Sequence, residues 1–190
     1  VYECPNTRLK FDIGSAMAIS SSREYKEEGA TTGKPRITGL IDLVLASYLQ
    51  RRQSEDVFLT CLDRSDLSGQ VGLVVGYVVH LSEDGKFLSD QKGNFIDCNG
   101  IKYRTGQIVK PGEEVPNRNI LQYCVPIIKV MQGCKETPIG AGNGFRSNEG
   151  SLPTNVSKIF EAIEHYSGLK IQGFRNGTDQ NDIQYLKRVT

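Results

Sequence analysis

The side chains of this 190-residue chain that could do chemistry are two histidines, five cysteines and a few acid pairs. Nucleophilic catalysis needs an activated side chain with a base placed beside it. His80 sits between Val79 and Leu81 in an apolar run and reads as a structural histidine. His165 falls near the C-terminal end of a predicted helix, where an imidazolium suits the helix dipole. The acid pairs Glu27-Glu28, Glu55-Asp56 and Glu113-Glu114 lie in predicted surface turns. Gly140-Ala-Gly142-Asn-Gly144 has the glycines of a phosphate-cradling loop but neither a strand-to-helix context nor a Lys-Ser/Thr ending. None of Cys4, Cys61, Cys98, Cys124 and Cys134 forms a CxxC, and with two histidines there is no zinc-type spacing. The residues alone therefore point to no catalytic machinery, no metal and no cofactor.

The elements that must carry these residues follow from local patterning. Val1 to Cys4 reads as a short strand, and Asp12 caps a predicted helix over 12–25. Residues 40–49 carry Ile41, Val44, Leu45, Tyr48 and Leu49 at helical spacing. Strands are predicted over 57–62 and 70–81, with a bulge invited by Gly72 and Gly76. Asp84-Gly85 supplies turn chemistry, so 86–89 returns as a hairpin partner and 94–98 closes a meander. Further strands are predicted over 123–131, 169–174 and 183–189. A helix over 155–167 has Val156, Ile159, Phe160 and Ile163 on one face and Gly168 at its end.

Composition sets outer limits. Apolar residues at 38% and charged residues at 24% exclude a disordered chain. The longest apolar run, 71–81, is far short of the ~20 residues that cross a bilayer, so no membrane contact is expected. A net charge of +1 excludes a strongly basic polymer-coating protein. Residues 1–98 hold 11 basic against 14 acidic side chains and residues 99–190 hold 12 against 8, so the second half is the more basic. The start at Val1 is what signal cleavage would leave, and Asn155 and Asn176 open glycosylation sequons. With the cysteines, these features lean toward a secreted, oxidised protein. Position suggests a bridge from Cys4 to Cys98, with Cys124 and Cys134 as a second candidate pair and Cys61 a buried thiol. Closing the longer loop would remove roughly 4–5 kcal/mol of unfolded-state entropy in the chain-entropy model.

A family resemblance enters through a series of short motifs. They are Tyr2-x-Cys4-Pro5, the loop Gly33-Lys-Pro-Arg36, the strand Val57-Phe-Leu-Thr-Cys-Leu62, the strand and turn Gly76 to Gly85, and Gly93-Asn-Phe-Ile-Asp-Cys98. In this order they resemble the small guanyl-specific fungal ribonucleases, and still more the ribonuclease-like secreted effectors of powdery mildew fungi. The resemblance covers residues 1–98. It implies an α+β fold with an N-terminal helix packed on an antiparallel sheet, followed by an extension or second module over 99–190 that contains helix 155–167. Every catalytic position of that family departs from its pattern: Lys34-Pro35-Arg36 replaces Tyr-Pro-His, Leu59 or Thr60 stands for the glutamate, and Tyr77 stands for the arginine. The resemblance thus implies a pseudo-ribonuclease. It would be secreted, delivered into plant cells as a virulence effector, bound to host proteins or recognised by an immune receptor. Lys34, Arg36, Arg51 and Arg52 would be its contacts for RNA or a partner. An active secreted ribonuclease recruiting His80 or His165, and a generic extracellular binding domain, are the alternatives.

Overall fold

The computed structural model describes residues 31–34, 40–50, 56–60, 70–79, 94–96, 100–116, 118–121, 124–133, 152, 154–175 and 183–186. The expected helix 12–25, the hairpin partner 86–89 and the Gly-rich stretch 140–144 lie outside them. In chain order the elements are β1 (Ile41–Asp42), α1 (Leu43–Gln50), β2 (Asp56–Leu59), β3 (Gln70–Val79), β4 (Asn94–Ile96), β5 (Lys102–Arg104) and β6 (Ile108–Val109). They continue with α2 (Arg118–Leu121), β7 (Cys124–Gln132), α3 (Thr154–Ser167), β8 (Lys170–Arg175) and β9 (Ile183–Tyr185).

β3 organises one sheet. β7 runs antiparallel along it from Gln70↔Gln132 to Val79↔Cys124, while β1 pairs parallel at Ile41↔Leu73 and β6 antiparallel at Tyr77↔Val109. The bulge invited by the glycines is present, as a register shift between Val74 and Gly76. Its consequence is a change of face. Val71 and Leu73 enter one core, whereas Val74, Tyr77 and Val79 enter another, which strict alternation along the strand would not allow. Helix α1 serves both cores, since its neighbouring residues Leu43 and Val44 are buried in different clusters.

A second sheet has the order β2-β8-β9, with β2 parallel and β9 antiparallel to β8. Helix α3 covers one face through Val156, Ile159, Phe160, Ala162 and Ile163, packed with Ile171 and Phe174 of β8. Phe160 meets Phe174 edge-on at 5.6 Å between ring centroids, an arrangement worth about 0.5–1.5 kcal/mol beyond the area it buries. The turn from α3 into β8 is closed by hydrogen bonds. Gly168 takes φ 73°, a left-handed conformation that a side chain would strain, and its N–H donates to the Glu164 carbonyl at 2.9 Å. The Glu164 carboxylate then accepts from the Ile171 N–H at 2.8 Å, so one residue anchors both the helix end and the strand start.

This architecture corrects the expected one. A meander of neighbouring antiparallel strands would pair β3 with the chain just after it. The structure instead pairs β3 with β1 in parallel and with β7, and pairs β2 with a strand more than a hundred residues away. The physical reason is that pairing partners are set by which apolar faces can be buried together, and that is a long-range property. The local hairpin chemistry of Asp84-Gly85 does not decide it. A ribonuclease-like helix on an antiparallel sheet is therefore not the fold.

Candidate functional site

In sheets with parallel strands, ligands bind outside the carboxyl ends of those strands, because the connecting segments leave a crevice there. β2 and β8 are such a pair, in register from Asp56↔Lys170 to Leu59↔Phe174, and their carboxyl ends lie side by side. Thr60, exposed, follows β2, and Arg175, half-buried, ends β8. These two ends place a hydroxyl and a guanidinium at one edge of the sheet. A planar guanidinium suits the oxygens of a phosphate or a carboxylate.

The register shift between Val57 and Phe58 shapes this edge. It lets both Ile171 and Phe174 face α3, so that Gln172 and Gly173 between them turn to the other side. On that outer side Phe58, Gly173 and Tyr185 stand in one row across the three strands. Phe58 and Tyr185 meet edge-on at 5.3 Å over the glycine. Gly173 has no room for a side chain: a Cβ there would meet the Gln184 carbonyl oxygen and come within 2.5 Å of Phe58 Cε1. Beside this row, Gln172 Nε2 donates to Asp56 Oδ1 at 2.7 Å.

A second polar cluster lies deeper. Asp42 is 3% exposed at the junction of β1 and α1. Its Oδ1 accepts from the Leu45 N–H at 3.0 Å, which caps α1, and its Oδ2 accepts from the buried Tyr77 hydroxyl. Burial pushes the Asp42 carboxyl above its ordinary range, while the bonds from Leu45, Tyr77 and Val44 pull it back down. Both oxygens are engaged inside the fold, so this carboxylate is a structural cap joining β1, α1 and β3 and not a reacting group.

The residues singled out from sequence are dispersed. Lys34 is exposed, with its N–H donating to Thr32 Oγ1 at 3.5 Å. Arg36, Arg51, Arg52, Cys4, Cys61, Cys98, Cys134, Asn176 and His80 lie outside the described residues. Asn155 is the second residue of α3, and its Nδ2 donates to the Gly133 carbonyl at 3.2 Å. Cys124 stands as a reduced, buried thiol, with Sγ donating to the Ile120 carbonyl at 3.5 Å and its acidity suppressed by burial to a pKa of about 12. His165 is exposed near the C-terminal end of α3, edge-on to Tyr166 at 5.0 Å. Sequence reasoning missed Thr60 and Arg175 as a pair. Both strands were foreseeable, but nothing local says that they are parallel neighbours.

Comparison with known proteins gives this edge a context. The family model described as adenylosuccinate synthetase matches residues 6–184. The chain is 36% identical over 179 residues to adenylosuccinate synthetase 2 of Trypanosoma cruzi, covering 94% of this chain and 27% of that protein. It is 35% identical to the adenylosuccinate synthetase of Leishmania infantum, covering 94% of this chain and 24% of that one. The chain thus spans about a quarter of the length of these relatives. The fully ligated adenylosuccinate synthetase of Plasmodium falciparum has the same fold over 94% of this chain and 35% of its own, at a TM-score of 0.58 and 22% identity.

These matches overturn the ribonuclease-effector resemblance and what it implied. They extend over almost the whole chain, whereas the resemblance rested on short motifs within residues 1–98. The relatives are synthetases, so the expectations of a pseudo-enzyme, an active ribonuclease or a generic extracellular domain all fall. Secretion, delivery into a host cell, and plant proteins, immune receptors or RNA as partners fall with them, because nothing but that resemblance and weak sequence signals supported them.

Proposed function

The chain belongs to the adenylosuccinate synthetase family, and we propose that it forms part of an enzyme joining aspartate to inosine monophosphate at the expense of GTP. The observation that carries this reading is the match of the family model to residues 6–184. The geometry adds a location. The carboxyl ends of β2 and β8, with Thr60 and Arg175, form one wall of a purine-nucleotide site. There the guanidinium offers charge-assisted hydrogen bonds to phosphate or carboxylate oxygens, and the hydroxyl can donate or accept. The packing of α3 on Ile171 and Phe174 fixes the height and direction of β8, so the strand end is held before a ligand arrives.

The family's substrates also imply magnesium. Among the described residues no three His, Cys, Asp or Glu side chains converge to hold a metal ion. The described residues therefore do not fit a magnesium site, and their contribution is to bind and orient nucleotide.

The test is formation of adenylosuccinate from inosine monophosphate, aspartate and GTP by the protein, followed by chromatographic separation of product from substrate. Thr60→Val and Arg175→Ala are each expected to raise KM for a purine nucleotide about tenfold, which corresponds to ~1.4 kcal/mol of binding. Wild-type KM values in both variants would remove the strand ends from the site. Absence of any adenylosuccinate would remove the function.

A further inference from the structure

The outer face of the β2-β8-β9 sheet has no cover among the described residues, and its composition is wrong for water. Phe58 is 45% exposed, Ile183 41% and Tyr185 75%, all on the side opposite α3. Phe58 and Tyr185 flank Gly173, and Ile183 pairs with Arg175 in the next row, so the three apolar side chains form one patch. Singly exposed apolar residues are ordinary, but a contiguous group with a polar margin marks a contact surface. Here the margin is the Gln172–Asp56 hydrogen bond on one side and Arg175 on another.

The topology sharpens this. β2 and β8 are parallel, and sheets built from parallel strands are covered on both faces. α3 supplies one cover. The matched relatives are about four times as long as this chain, and the solved Plasmodium structure about three times, so the family's fold contains far more polypeptide than the part described here. We propose that the Phe58–Ile183–Tyr185 face is the seat of further polypeptide of the same synthetase, which lays an apolar surface over the Phe58–Gly173–Tyr185 row. The flat strip at Gly173 lets that surface approach the β8 backbone between the two rings. This inference rests on the family reading given above, and it concerns a face rather than the strand ends that meet nucleotide.

Carbene footprinting tests it, comparing the native protein isolated from its own cells with the 1–190 chain alone. Labelling of Phe58 and Tyr185 is expected to be at least tenfold lower in the native protein, whatever its concentration, while labelling of exposed Val130 stays within twofold. A Tyr185→Asp variant of the native protein is expected to recover labelling at Phe58. Equal labelling of Phe58 and Tyr185 in the two samples overturns the proposal. So does protection that appears in the 1–190 chain alone as its concentration rises, which would assign the face to a second copy. Adenylosuccinate formation is measured on the same native sample. Product with an unprotected face defeats the docking inference alone, and a protected face without product defeats the functional reading and assigns the cover to a different protein.

Discussion

Gly173→Ala is the substitution whose effect follows most directly from the geometry of the β2-β8-β9 sheet. The added methyl would stand against the Gln184 carbonyl oxygen on β9 and within 2.5 Å of Phe58 Cε1 on β2. Phe58 can rotate away because its ring is half-exposed, but a carbonyl oxygen in a paired strand cannot move without disturbing the ladder. Overpacking of this kind costs about 1–3 kcal/mol. Replacing glycine by alanine within a strand offsets roughly 0.5–1 kcal/mol of that. The net loss is therefore about 1–2 kcal/mol, and a chain of this size would melt about 2–8 °C lower. Thermal unfolding followed by circular dichroism measures the change. Amide exchange locates it, since the Leu186 N–H, bonded to the Gln172 carbonyl at 2.9 Å, should exchange faster in the variant. An unchanged or raised Tm, with Leu186 equally protected, would refute the close approach of β9 to β8.

Two further outcomes follow from buried groups. Asp42→Ala removes the α1 cap and leaves the buried Tyr77 hydroxyl without its acceptor, and should cost about 2–4 kcal/mol in urea unfolding. Asp42→Asn keeps an acceptor for Leu45 and should cost far less. Because the folded carboxyl titrates above its unfolded value, wild-type stability is higher below pH 3.8 and falls as pH rises through the raised value. The stability of Asp42→Asn relative to wild type should therefore improve over that window and level off above it; the opposite slope would contradict the burial of the carboxyl. The Cys124 thiol, at a pKa of about 12, should resist iodoacetamide at pH 8 in the folded protein and react on unfolding, as peptide mass spectrometry would show.

Much of the local structure is legible in the residues. The spacing of Val156, Ile159, Phe160 and Ile163 predicts a helix that the structure has over Thr154–Ser167, ended by Gly168 in a left-handed conformation. The glycines of β3 foretell a bulge, found beside Gly76. The residues around 40–50 show the limit of periodicity: two of them extend as β1 before the helix begins at Leu43, because Ile41 and Asp42 pair with Leu73 and Val74. Pairing is where local reading stops. The alternation of Val57 and Leu59 says that β2 has a buried side, but not that its neighbour is β8. The candidate site exists only through that pairing, so Thr60 and Arg175 could not be joined by any motif. The histidine scarcity that argued against catalysis was sound for acid–base chemistry on histidine. It had no bearing on a nucleotide site built from strand ends, a hydroxyl and a guanidinium.

The central claim is that the carboxyl ends of β2 and β8 hold a purine nucleotide in an adenylosuccinate synthetase. Diffraction from crystals grown with inosine monophosphate, aspartate and a non-hydrolysable GTP analogue tests it most directly. The account predicts nucleotide density beside Thr60 and Arg175, with the guanidinium within hydrogen-bond distance of a ligand oxygen. Nucleotides bound only at other surfaces, with both strand ends facing solvent, would contradict it.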